Sequence, residues 1–143
     1  MAIWYKQHTL AALNALTVGT LMQTLDIRFT EIGDDFLSAT MPVDQRTFQP
    51  AGLLHGGASV VLAESLGSMA SHLVVDPAKY RCVGLEVNAN HTRAVKSGIV
   101  TGTARPAHLG RSTHVWEIRV VDDAGRTACL SRLTMAILTN PED

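Results

Sequence analysis

Long basic runs are missing from the 143-residue sequence, and its formal net charge is only −1 with histidine neutral. A stripe of mixed basic and aromatic residues is missing too, so we expect no nucleic-acid partner. No window approaches the roughly 20 apolar residues of a membrane span. The N-terminus, MAIWYKQHTLAALNAL, lacks the basic start, long apolar stretch and cleavage site of a signal peptide. We therefore expect a cytoplasmic protein that does not associate with membranes.

Cysteine and the common metal and nucleotide motifs are also scarce. The only cysteines are Cys82 and Cys129, with no CxxC pair, which predicts two buried free thiols in a reducing cytosol. The six histidines show no HExxH motif and no paired ligand spacing, so we expect no metal site. Neither a GxGxxG turn nor a P-loop is present.

What the sequence does contain fits one domain over residues 1–143, with 46% hydrophobic residues for a core. Thr9 is a candidate cap for a short helix, and two strand-like segments follow at 24–31 and 36–43. An apolar helix is predicted from about 57 to 74, before Asp76-Pro77. Residues then alternate between apolar and polar in four predicted strands, 80–91, 97–108, 112–121 and 127–138.

This order of elements predicts an α+β fold. Strands joined by short turns pair antiparallel, and a single long apolar helix must bury one side on the resulting sheet. One helix on one curled sheet leaves the second flank of the helix and one sheet edge uncovered. We therefore expect the chain to form oligomers.

The long helix carries a single acid, Glu64, among apolar residues. An unpaired carboxylate is costly to bury in such surroundings. Its neighbours one turn away are Val60 and Ser68, and no Lys or Arg occurs from 57 through 74. Glu64 is therefore either an exposed surface acid or part of a functional site, and the missing partner favours the site.

His55-Gly56-Gly57 begins the same helix. Backbone N–H groups at a helix start are unsatisfied and lie at the positive end of the dipole, and glycine lets a ligand approach them closely. Such a start binds a phosphate or the developing oxyanion of a carbonyl. The alternative is a plain turn. His-Gly-Gly also occurs in the oxyanion turn of lipases, but the GxSxG nucleophile motif of that fold is missing.

The spacing of these two features suggests a dimer. Gly56 and Glu64 are eight residues apart, which is about 12 Å along a helix. A carboxylate that attacks a carbonyl, or activates water at it, must lie about 3 Å away. One subunit does not easily bring both groups to one carbonyl, whereas two helices running antiparallel across a two-fold axis could. The hypothesis is a dimer with two equivalent sites, each combining one helix start with the partner's Glu64.

Several longer segments resemble the hotdog-fold acyl-CoA thioesterases. The resemblance rests on TMPVDQRTFQPAGLLHGGASVVLAESLGS, VGLEVNANHTR, HLGRSTHVWEI and SRLTMAIL, and it covers nearly the whole chain. The group it resembles most includes the menaquinone-pathway 1,4-dihydroxy-2-naphthoyl-CoA hydrolase and the enterobactin-synthesis proofreading thioesterase, and the segments DIRF and LEVNANH favour the menaquinone type. The resemblance implies a long central helix wrapped by an antiparallel sheet, homodimers that form the active site, and homotetramers.

The resemblance also implies catalytic roles. Glu64 is implied to be the nucleophile or general base, and the Gly56 N–H to polarise the thioester carbonyl. Gln49 and His55 are implied to hold the carbonyl, the water or the departing thiol. Ser68, one turn after Glu64, is implied to orient the carboxylate or the attacking water.

The resemblance also implies which residues bind the substrate. No cofactor is implied beyond the acyl-CoA itself, because coenzyme A is part of the substrate. The residues matched to coenzyme A are His91, Arg93, Arg111, Ser112 and Thr113, and those matched to the acyl pocket are Ala51, Met69 and His72. Ala51 stands where the family often has an aromatic residue, and His72 where it often has an apolar or aromatic one. An aryl acyl group is therefore a weaker expectation than thioester hydrolysis.

The same residues are also compatible with two other functions. One is a hydratase or dehydratase acting on an acyl thioester, which would use His55 with Glu64. The other is a non-catalytic acyl-CoA-binding module, although 143 residues leave little room for an appended partner or DNA-binding domain. Release of free thiol separates hydrolysis from both.

Overall fold

The alternating segments fold as strands of a single sheet, and every strand pair is antiparallel. A computed structural model describes residues 1–141. The helices are α1 (Leu10–Ala15), α2 (Leu21–Thr24) and α3 (Gly56–Val74). The strands are β1 (Arg28–Ile32), β2 (Leu37–Pro42), β3 (Tyr80–His91), β4 (Ile99–Leu109), β5 (Thr113–Val121) and β6 (Thr127–Thr139). The predicted α+β class is confirmed.

The sheet runs in the order β1-β2-β4-β5-β6-β3, so β1 and β3 form its edges. Strand β5 shows how the two faces differ. Trp116, Ile118 and Val120 are fully buried, while Glu117 and Arg119 between them are exposed. This period of two places one face of the sheet on the core and the other toward the outside.

Helix α3 covers the buried face, packing against β2 through β6. Leu62, Leu66, Ala70 and Leu73 recur at helical spacing and are almost completely buried. Each buried leucine contributes about 1.5–3 kcal/mol. The opposite flank of α3 is half-buried or exposed, as the sequence predicts for one helix on one sheet.

The N-terminal segment differs from its sequence prediction. A strand is predicted from residue 24, but β1 begins at Arg28 and Thr24 ends the one-turn helix α2. The Thr20 hydroxyl starts that turn by accepting a hydrogen bond from the Met22 N–H. Asp26 then takes a φ of 53°, which reverses the chain before β1. The apolar residues on either side of Asp26 alternate as they would in a strand, so their pattern did not distinguish a strand from a helical turn.

Strand β3 leaves one side of its backbone unpaired within the described chain. Val83 and Leu85 on it are exposed, and the ladder with β6 is interrupted between Gly84 and Glu86. An edge of twelve residues with exposed apolar side chains is a surface suited to pairing with another chain.

Both cysteines are buried and free, as predicted. Burial raises the pKa of the Cys82 thiol to about 11, and it raises the pKa of Cys129 as well. Neither thiol is a reactive group. Among the helices of residues 1–141, none has the length and apolar character to cross a membrane.

Candidate active site

The start of α3 is fixed by His55. Its backbone is extended, and its Nδ1 accepts a hydrogen bond from the Gly57 N–H at 2.8 Å. The His55 carbonyl accepts from the N–H groups of Ala58 and Ser59. Within residues 1–141, this leaves the Gly56 N–H as the donor of the first turn without an acceptor. His55 therefore serves as the helix cap, and its contact with a substrate stays a prediction.

Gly56 lies directly against His91. A Cβ atom at position 56 would lie 2.8 Å from Nε2 of His91, closer than a side chain normally allows. A groove of about 420 Å³ opens beside this contact, and Gln49, Gly56, His91 and Arg93 are among its lining residues. We call it the helix-start groove. The exposed Arg93 and the positive end of the α3 dipole make it suited to an anion or a polarised carbonyl.

Glu64 lies in a second cavity, on the uncovered flank of α3. This cavity has a volume of about 530 Å³, and we call it the carboxylate cavity. Ser68, Met69 and His72 line it together with Glu64. Glu64 is exposed, and no ion pair within the described chain includes it. Its carboxylate is therefore free to act on a ligand.

The helix-start groove and the carboxylate cavity have separate sets of lining residues. The rise between Gly56 and Glu64 is about 12 Å. Gly84, on the free edge strand β3, lies beside the acid, because a Cβ atom there would be 3.2 Å from Glu64 Oε1. The acid is thus next to the edge of β3 that is unpaired within the described chain, and Gly56 and Glu64 line different cavities.

The residues matched to coenzyme A divide between the two ends of the sheet. His91 pairs with Cys129 where β6 begins, and Arg93 follows in the next turn. Thr113 pairs with Ala136, and the Ser112 carbonyl accepts from the Ile137 N–H near the end of β6. The two groups are about 24 Å apart along the strands. Arg111 accompanies the second group, lining a cavity with Lys79 and His114.

The three residues predicted for the acyl pocket do not all line one cavity. Met69 and His72 line the carboxylate cavity, whereas Ala51 is exposed in the loop before α3. The Ala51 N–H donates to the Gln49 side-chain oxygen, which orients that amide. Three apolar residues of the segment from α1 to α2, which no sequence motif identifies, also line the cavity that contains Glu64: Leu16, Leu21 and Met22. Leu21 and Leu16 are more than half exposed, and this exposure of large apolar side chains is the signal that identifies them.

The packed face of α3 carries a separate polar cluster. Trp116 Nε1 donates to the Ser71 hydroxyl at 2.7 Å, and His114 Nδ1 lies 3.2 Å from the same oxygen. All three side chains are buried. Burial lowers the pKa of His114, and the nearby His108 lowers it further. His114 is therefore a neutral, structural histidine. No group of three or more His, Cys, Asp or Glu residues suited to a metal ion occurs in the part of the chain that the structure describes.

Comparison with known proteins gives the family of the chain. A profile of the Thioesterase superfamily matches residues 51–129. The 1,4-dihydroxy-2-naphthoyl-CoA hydrolase of Escherichia coli (strain K12) is 57% identical over 95% of this chain and 99% of its own. The proofreading thioesterase EntH of Cronobacter turicensis is 54% identical over 95% of this chain and 98% of its own. A crystal structure of a mutant (Q49A) of the Pseudomonas aeruginosa thioesterase PA1618 superposes with a TM-score of 0.96 at 56% identity, covering 97% of this chain and 100% of that one.

Proposed function

The chain belongs to the thioesterase superfamily and is a thioester hydrolase of the hotdog fold; from that premise we propose that it hydrolyses acyl-CoA thioesters to the free acid and CoA at sites shared between two subunits. The observation that carries this proposal is the pair of half-sites. Within residues 1–141, the Gly56 N–H at the helix-start groove has no acceptor, and Glu64 in the carboxylate cavity has no ion-pair partner.

The free edge of β3 supports the shared site. Pairing two β3 edges would cover Val83 and Leu85 and place one chain's edge strand beside the other's. Because Gly84 lies against Glu64, the paired edge would bring the partner's surface up to the acid. We propose that the partner's helix-start groove then faces Glu64, and that two such dimers form a tetramer.

The chemistry follows from the groups that meet. The Gly56 N–H would donate to the thioester oxygen and stabilise the charge that grows on it, while Gln49 would hold the carbonyl, the water or the departing thiol. Glu64 would attack the carbonyl carbon to form an anhydride and release the CoA thiolate, and water would then hydrolyse the anhydride to the free acid and restore the carboxylate. Alternatively, Glu64 would take a proton from a water that attacks the carbonyl carbon, and the CoA thiolate would leave. Ser68, one turn away, would orient the carboxylate or that water. In both routes, the Gly56 N–H lies at the thioester oxygen and Glu64 lies near the carbonyl carbon.

Coenzyme A would be held by both residue groups named above. His91 and Arg93 belong to the helix-start groove. Arg111, Ser112 and Thr113 lie about 24 Å from them in the same chain. An assembly in which different subunits supply the two groups would let both contact one coenzyme A. Arginine is well suited to its phosphates because the guanidinium binds them with two parallel hydrogen bonds.

The acyl group is proposed to be an aryl group, 1,4-dihydroxy-2-naphthoyl or of the benzoyl type. The apolar lining of the carboxylate cavity supports an aromatic ring. The relative named for 1,4-dihydroxy-2-naphthoyl-CoA supports a role in menaquinone biosynthesis. The two buried free thiols are compatible with the reducing cytoplasm, where we place the enzyme.

A steady-state thiol-release assay tests this function. Wild type and the Glu64→Ala and Glu64→Gln variants are compared on 1,4-dihydroxy-2-naphthoyl-, benzoyl-, hydroxybenzoyl- and straight-chain acyl-CoAs. We expect rapid release by wild type and a kcat lower by roughly three orders of magnitude in either variant, because the group at the reacting carbon is lost. Circular dichroism checks that the variants fold. Near-normal turnover by folded Glu64→Ala would refute the role of the acid, and no release from any substrate would favour the hydratase or the binding module.

A further inference from the structure

The carboxylate cavity has an apolar wall opposite α3. Leu16, Leu21 and Met22 face the helix flank that carries Val61 and Met69. The wall belongs to the same chain as the acid. The cavity lies mostly on the C-terminal side of Glu64, because the lining residues after it reach two turns further along α3. An acyl group attached at Glu64 would therefore extend along the helix toward His72.

His72 presents a hydrogen-bond acceptor at that end. Its Nδ1 lies 2.8 Å from the Ser68 carbonyl oxygen. A carbonyl oxygen can only accept, so Nδ1 must carry the proton of this hydrogen bond. In the imidazole form whose single N–H is at Nδ1, Nε2 holds a lone pair. No hydrogen bond within residues 1–141 uses Nε2 of His72.

The distance from Glu64 to His72 limits the length of the acyl group. Eight residues of helix separate them, a rise of about 12 Å. The approach of the carboxylate to the carbonyl and a hydrogen bond at Nε2 each take up about 3 Å. About 6 Å remain between the thioester carbon and the donor atom. One aromatic ring with a substituent opposite the carbonyl spans that length.

Resting on the proposed thioester hydrolysis, we propose that His72 determines specificity by accepting a hydrogen bond through Nε2 from a donor at the distal end of the acyl group. Among acyl groups of the benzoyl type, the preferred one carries a hydroxyl or amino group opposite the thioester. A methoxy group at the same position can only accept, so it would gain no hydrogen bond with Nε2. A hydroxyl next to the thioester would lie too far from His72.

The test is a ratio of kcat/KM for 4-hydroxybenzoyl-CoA over 4-methoxybenzoyl-CoA. The two substituents have similar electronic effects on the thioester, and a ratio within one protein preparation is independent of the fraction folded. We expect a ratio of about three to ten in wild type, the net value of one hydrogen bond at an exposed side chain. In His72→Phe, which keeps an aromatic ring but has no acceptor, we expect the ratio to fall to about one. His108→Phe, at an exposed histidine of β4, is the matched control and should keep the wild-type ratio.

The outcomes separate this inference from the function on which it rests. If His72→Phe keeps the wild-type ratio while Glu64→Ala abolishes thiol release, the role of His72 is wrong and thioester hydrolysis stands. If wild type releases no thiol from any acyl-CoA, both proposals are wrong. A preference of wild type for 4-methoxybenzoyl-CoA would also overturn the role of Nε2 as an acceptor.

Discussion

The two ends of the functional stretch of α3 are built in opposite ways. At the helix start, His55 caps the first turn and His91 packs against Gly56, so neighbouring side chains fix the geometry. Eight residues later, Glu64 is exposed, and no ion pair of the described chain fixes its carboxylate. One region is a rigid donor and the other is an adaptable acid. This difference suits a site in which the substrate is polarised by a fixed group and attacked by a group that must move.

The largest expected effect comes from removing the fixed donor. Proline at position 56 lacks the N–H, and the first helical position tolerates it because the preceding residue, His55, is already extended. We expect Gly56→Pro to lower kcat by about 10²–10³ relative to Gly56→Ala. The alanine variant is the control, because it adds the same Cβ atom against His91 but keeps the N–H. Equal kcat values for the two variants would exclude the Gly56 N–H from catalysis.

Hybrid dimers show whether the Gly56 donor and the Glu64 acid act within one chain or across two chains. Co-expressed Glu64→Ala and Gly56→Pro chains form hybrid dimers in which one site combines intact Glu64 with intact Gly56 from the other chain. With random pairing, we expect the mixture to regain about a quarter of wild-type activity, although each parent is inactive alone. The measurement is thiol release by the purified mixture. If one chain supplied both groups, every site would carry a defect and no activity would return.

The smallest effect concerns the packed face of the same helix. The pKa of His114 is lowered in the folded protein. Neutral His114 therefore contributes fully to stability when the pH is above the ordinary histidine pKa of about 6.5, and this contribution is lost as the pH falls through the lowered pKa of the folded state. His114→Asn keeps a side-chain nitrogen near Ser71 but takes up no proton. Between pH 7.5 and pH 5, we expect the free energy of unfolding to fall further for wild type than for His114→Asn. Urea unfolding measures this, and parallel pH profiles would contradict it.

Much of the fold could be predicted because its signals are local. The period of two from residue 80 onward and the turns between the strands gave the last four strands to within two residues at each end. His55, Gly56 and Glu64 could be identified because each breaks the pattern of an apolar helix. Helix α2 could not, since a single turn capped by Thr20 has too few residues to show a helical period.

The rest of the site depends on distances that sequence spacing does not give. Leu21 and Met22 reach the carboxylate cavity only because the segment before β1 folds back over α3. The resemblance matches both Arg93 and Arg111 to coenzyme A binding, yet the sheet separates the two groups to which they belong by about 24 Å. Ala51 is only two residues from Gln49 in sequence, but it does not line the cavity that contains Glu64.

The free edge of β3 has a consequence for how activity varies in the cell. An enzyme whose donor and acid sit on different chains has no activity as a single chain, so its rate per molecule rises with its own concentration until pairing is complete. A charged substitution at exposed Leu85, which contacts no substrate in the proposed mechanism, would then lower activity by shifting this association. Its effect would disappear at high protein concentration, whereas a defect at Glu64 would persist at every dilution.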